Sequence, residues 1–91
     1  MARTMTLNDG TVWTLRMCGE NEADGLLSFV PTDAPPLPEL VAKLCDPGAV
    51  GHLVVRGVET EDVYDGYTEL VYISTAIYRE GPYITLRKGG A

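Results

Sequence analysis

The chain has 91 residues, and its 13 acidic against 7 basic side chains give a formal charge of −6. A length of this order suits one domain, here residues 1–91, burying roughly 60 to 65% of the surface of its unfolded chain, with a stability of roughly 5 to 10 kcal/mol. No basic stripe is present to displace counterions from a polyanion, so direct nucleic-acid binding is not expected, and no apolar run is long enough to span a bilayer. The first residues lack a basic flank followed by an apolar segment, so the expected setting is cytoplasmic and soluble. Cys18 and Cys45 have no Cys or His neighbour at ligand spacing and sit among apolar residues, which predicts two buried free thiols, no metal and no cofactor.

Taken in order, Thr4–Leu7 and Thr11–Met17 flank Asn8-Asp9-Gly10, a hairpin signal. A three-residue loop with Gly10 in the left-handed region pairs Leu7 with Thr11 and Met5 with Trp13. That register gathers Met5, Leu7, Trp13, Leu15 and Met17 on one face and leaves Thr4, Thr6, Val12, Thr14 and Arg16 on the wetter one. Glu20 to Gly25 follows as an acidic loop before a short strand, Leu26–Val30. Its spacing opens like an EF-hand, but position 12 of such a loop would be Pro31 rather than a bidentate Glu, so a solvated loop is expected.

Pro31–Pro38 (PTDAPPLP) predicts a stiff, extended spacer. A helix is expected over Pro38–Asp46, with proline in its first turn, Glu39 at its positive end and Asp46-Pro47-Gly48 as its stop. Leu37, Leu40, Val41, Leu44 and Cys45 form its apolar stripe. Val50–Val58 reads as an interior strand carrying the chain's one histidine, His52, with Gly57 marking a bulge or a close backbone approach. Residues 59–66 read as a surface loop, since Glu59, Glu61, Asp62 and Asp65 repel one another and cannot be desolvated together. Gly89 to Ala91 are expected to fray.

The longest run of strand-forming residues is Tyr67–Lys88, expected to be a hairpin turning at Arg79–Pro82. Placing Tyr78 opposite Tyr83 aligns Ile77 with Ile84 and Thr75 with Leu86. Val71, Ile73, Ile77, Ile84 and Leu86 then face a core, and Leu70, Tyr72, Ala76, Tyr78, Tyr83, Thr85 and Arg87 face away from it.

These elements predict an α+β fold of about six strands in the order β-β-β-α-β-β-β, a mainly antiparallel twisted sheet, either open or curling toward a barrel-like form, with one short helix on one face. No nucleophile and base at catalytic spacing, no phosphate loop and no thiol or zinc motif occurs, which argues against an enzyme. The surface signals favour a partner site: Tyr72, Tyr78 and Tyr83 as an aromatic patch, with Glu59, Glu61, Asp62 and Asp65 beside it. The expected function is binding of another protein with a basic surface, inhibitory in its sharper form, as a phage-type or viral accessory protein mimicking nucleic-acid charge. The rivals are a self-assembling subunit or homodimeric accessory protein, and a small-molecule or enzymatic barrel with a pocket around His52 or the acidic groups.

Overall fold

A computed structural model describes residues 2–89. The strands are β1 (Arg3–Thr6), β2 (Val12–Asn21), β3 (Leu26–Pro31), β4 (His52–Arg56), β5 (Glu61–Asp65), β6 (Glu69–Ser74) and β7 (Tyr83–Arg87). Helices α1 (Leu37–Leu44) and α2 (Pro47–Val50) lie between β3 and β4. All seven strands join one open antiparallel sheet in the order β5-β4-β1-β2-β3-β7-β6. The α+β reading therefore holds, with one strand and one helical turn more than the sequence suggested.

The β1–β2 hairpin has the expected register. Met5 pairs with Trp13, the Leu7 amide donates to the Thr11 carbonyl at 2.7 Å, and Gly10 takes the positive φ of 91° that closes a three-residue loop. A bulge between Leu15 and Met17 then reverses the alternation along β2. Cys18 and Glu20 come to the helix side opposite Phe29 and Leu27, and Met17, expected in the core, pairs with Val30 on the far side.

The core lies between the sheet and α1–α2. Met5, Leu7, Trp13, Leu15, Leu27, Phe29, Leu53, Val55, Ile84 and Leu86 come from the strands, and Leu40, Leu44, Ala49 and Val50 from the helical segment. Leu40 and Leu44 are fully buried, whereas Leu37 and Cys45 at the ends of the stripe are exposed, because a helix of 8 residues turns its ends past the sheet. α1 ends at Leu44, before Asp46-Pro47-Gly48 as expected, but a second short helix starts there: the Asp46 carboxylate accepts from the Gly48 amide at 2.9 Å and caps α2, with Pro47 in its first turn. Lys43 binds Asp9 at 2.7 Å and ties α1 to the first hairpin.

Two further readings are corrected. Residues 61–65 are not a loop but edge strand β5, because alternation lets its carboxylates stay in water while the backbone pairs with β4. In the last hairpin Ser74, not Tyr78, faces Tyr83, and Ile73 faces Ile84. The loop thus spans residues 75–82, and Ile77, expected in the core, is exposed. The displacement is four residues, an even number, so Ile73, Ile84 and Leu86 still face inward and Tyr72, Tyr83, Thr85 and Arg87 outward. A bulge beyond Tyr72 exchanges the remaining two: Leu70 turns toward the core and Val71 is exposed.

The two edges are stitched at one end by the short link from β5 to β6. The Gly66 amide donates to Gly51 at 2.9 Å, and its carbonyl accepts from Gly89 at 2.8 Å. Gly89 is therefore held rather than frayed; Gly90 and Ala91 lie outside the described residues. Tyr67, in the same link, is buried within the core.

Candidate functional site

On the helix-free side of the sheet, register sets Tyr72 opposite Thr85 and Tyr83 opposite Ser74, so the two tyrosines are diagonal neighbours on adjacent strands. Their rings meet edge to face at 6.0 Å. The 75–82 loop folds back and lays Tyr78 on the other flank of Tyr83, stacked at 6.1 Å. The Arg16 guanidinium covers the Tyr78 ring at 5.7 Å and reaches Glu80 at 3.6 Å. The result is a continuous row: Tyr72, Tyr83, Tyr78, Arg16.

Two features hold this row in place. Gly81 packs so tightly on β3 that a Cβ would lie 1.9 Å from the Pro31 carbonyl oxygen. Val30, on the same side as Met17, is fully buried although it lies outside the main core cluster. The loop is thus pinned onto the sheet. Tyr78 and Tyr83 are half-buried and Tyr72 is 49% exposed. The aromatic surface is preordered yet open to solvent, the combination that lets tyrosine contribute contact area with little further loss of freedom.

The acidic residues do not share this row. Glu61, Asp62 and Asp65 lie on β5 and Glu59 precedes it, at one edge of the sheet, while Tyr72 lies on β6 at the other. Glu61 pairs with Arg56 at 2.8 Å and Asp65 with His52 at 2.5 Å, each across the β4–β5 ladder. Glu59 and Asp62 are exposed. His52 is exposed too, and no pocket opens among the described residues. The barrel reading therefore lacks the enclosed site around His52 that it required.

A second cluster escaped sequence reasoning. The Tyr67 hydroxyl donates to the Glu20 carboxylate, Lys88 covers the Tyr67 ring at 5.4 Å, and Tyr64 meets Tyr67 edge-on at 6.2 Å. Burial, then the Glu20 hydrogen bond, pushes the Tyr67 phenol up to about 12. Burial likewise raises Tyr64 and pushes the Cys18 thiol up to about 11, which makes it a poor nucleophile at neutral pH. These groups gather around the link from β5 to β6. Both cysteines are free, with Cys45 exposed rather than buried. In the 20–25 segment Asn21 and Asp24 bond each other at 2.9 Å, and among the described residues no group of three His, Cys, Asp or Glu converges as metal ligands would. No helix among those residues is long and apolar enough to cross a membrane.

Compared with protein-family models, curated proteins and solved structures, the chain matches none of them.

Proposed function

We propose that the chain is a non-enzymatic, cytoplasmic protein-binding module that docks a partner protein on the row Tyr72, Tyr83 and Tyr78. The observation that carries this reading is the exposure of a pre-packed aromatic surface on the side of the sheet that no helix covers. Aromatic anchors dominate the energetics of protein interfaces because they bury large areas with few rotors to freeze. The net charge of −6 favours a partner with a basic surface, and occupation of a basic groove that otherwise holds nucleic acid is the inhibitory form of this function, as in a phage-type or viral accessory protein. Glu59, Glu61, Asp62 and Asp65 lie at the opposite sheet edge and are no part of this docking row.

Tyr78→Ala tests the reading. It removes one flank of the row while leaving the core side untouched, so partner affinity falls at least tenfold with a stability change near 1 kcal/mol, the size of one aromatic pair. Loss of stability with unchanged affinity contradicts it. Mass at high micromolar concentration separates this reading from self-assembly: a monomer supports it, and a stable dimer closed over the tyrosines does not.

A further inference from the structure

The hydrogen-bond phase of the β4–β5 ladder fixes what β5 presents to solvent. The Gly57 amide donates to Thr60 at 3.0 Å at one end, and the Gly66 amide to Gly51 at 2.9 Å at the other. In an antiparallel ladder bonded and non-bonded pairs alternate. Arg56/Glu61, Val54/Val63 and His52/Asp65 are therefore the non-bonded pairs, and Val55/Asp62 and Leu53/Tyr64 the bonded ones. It follows that the amides and carbonyls of Glu61, Val63 and Asp65 all point out of the sheet edge, while those of Asp62 and Tyr64 are spent on β4.

This edge is regular, and the other is not. β6 carries a bulge at Val71, a device that bends an edge away from pairing, whereas β5 has five consecutive pairs without one. Neither proline nor lysine occurs in β5, and Val63 is 50% exposed between Glu61 and Asp65 on the helix-free face. The four carboxylates of residues 59–65 against the one guanidinium of Arg56 leave this edge a local charge of −3. A second copy paired through Val63 is disfavoured. Two β5 strands paired about a two-fold axis through Val63 would set Glu61 opposite Asp65 twice, and like charges directly opposite are destabilising.

We propose that the free edge of β5 is a strand-addition site for an extended segment of another protein, one with Lys or Arg two residues to either side of a β-branched residue. The added strand exchanges backbone hydrogen bonds with Glu61, Val63 and Asp65, sets its β-branched side chain beside Val63 and its cations beside the two carboxylates. This surface is separate from the tyrosine row, so the two readings stand or fall independently.

Amide hydrogen exchange of the full chain, with and without a short synthetic peptide carrying lysines two residues either side of a central valine, tests the proposal. The expected result is exchange slowed at least tenfold at Glu61, Val63 and Asp65, with Asp62 and Tyr64 unchanged because they are already bonded. A peptide with glutamates in place of the lysines binds roughly tenfold more weakly. Val63→Pro removes one outward donor without touching the β4 ladder and abolishes the effect, while Tyr72→Ala leaves it intact. Should Val63→Pro fail to fold, the alternating pattern in the wild-type chain decides alone. Equal binding of both peptides, protection along β6 instead, or protection of the three amides by raising protein concentration without peptide overturns the proposal.

Discussion

Replacing Tyr72 and Tyr67 separately by alanine sets the proposed surface against the core. Aromatic side chains bury about 150 to 250 Å² when fully enclosed. Tyr67 is 1% exposed, so at about 25 cal/mol per Å² its removal forfeits on the order of 5 kcal/mol, plus about 1 kcal/mol for the bond to Glu20. That approaches the whole stability expected of a chain this size. Tyr72 is half exposed, which halves the area, and alanine keeps part of what remains, so its loss is about 1.5 to 2.5 kcal/mol including the edge contact with Tyr83. Urea unfolding followed by the fluorescence of the buried Trp13 measures both. Tyr72→Ala should unfold cooperatively with an unchanged denaturant slope, and Tyr67→Ala should be mostly unfolded without denaturant. A loss above about 4 kcal/mol for Tyr72→Ala would mean that its ring belongs to the core, and the surface assignment would be wrong.

The Tyr67 phenol, raised to about 12 from an ordinary value of 10, binds its proton more tightly in the folded state. Its contribution is complete below pH 10 and is lost as pH rises toward 12, so stability falls across that window and Tyr67→Phe flattens the fall, which denaturation midpoints against pH will show. Asp9 is held at about 2, first by its hydrogen bond from Lys43; in Lys43→Met its carboxyl should return toward 3.8, read by NMR titration. Gly81→Ala places a methyl group 1.9 Å from the Pro31 carbonyl oxygen, so the loop must lift. The expected loss is roughly 1 to 3 kcal/mol, with the Tyr78 ring resonances shifted as its stack on Tyr83 opens; an unchanged stability and spectrum would show that the loop is not pinned there.

The parts legible in the sequence are those where local and global signals agree. Asn8-Asp9-Gly10 between alternating segments fixes the first register, because only a loop of that length brings Met5, Leu7, Trp13 and Leu15 together. The last hairpin misled because Gly81-Pro82 resembles a tight turn, whereas Gly81 is needed for close approach to Pro31, a long-range contact with no local signature. The outward direction of Tyr72 and Tyr83 survived only because the displacement was even. β5 was hidden by its charges: four acidic residues between 59 and 65 read as a solvated loop, and nothing local shows that Arg56 and His52 each face one of them across a strand pair. Tyr67 carried no signal for burial, since its place in the core depends on the Gly66 bonds that join the two edges.

The most direct test is affinity capture from host extract on the wild-type chain and on Tyr72→Ala/Tyr78→Ala, with the mass of each eluted complex measured after both baits have been shown to fold. The tyrosine row predicts a stoichiometric heteromeric complex on the wild-type chain and its loss from the double variant. The same complex at the same yield on both baits would contradict it.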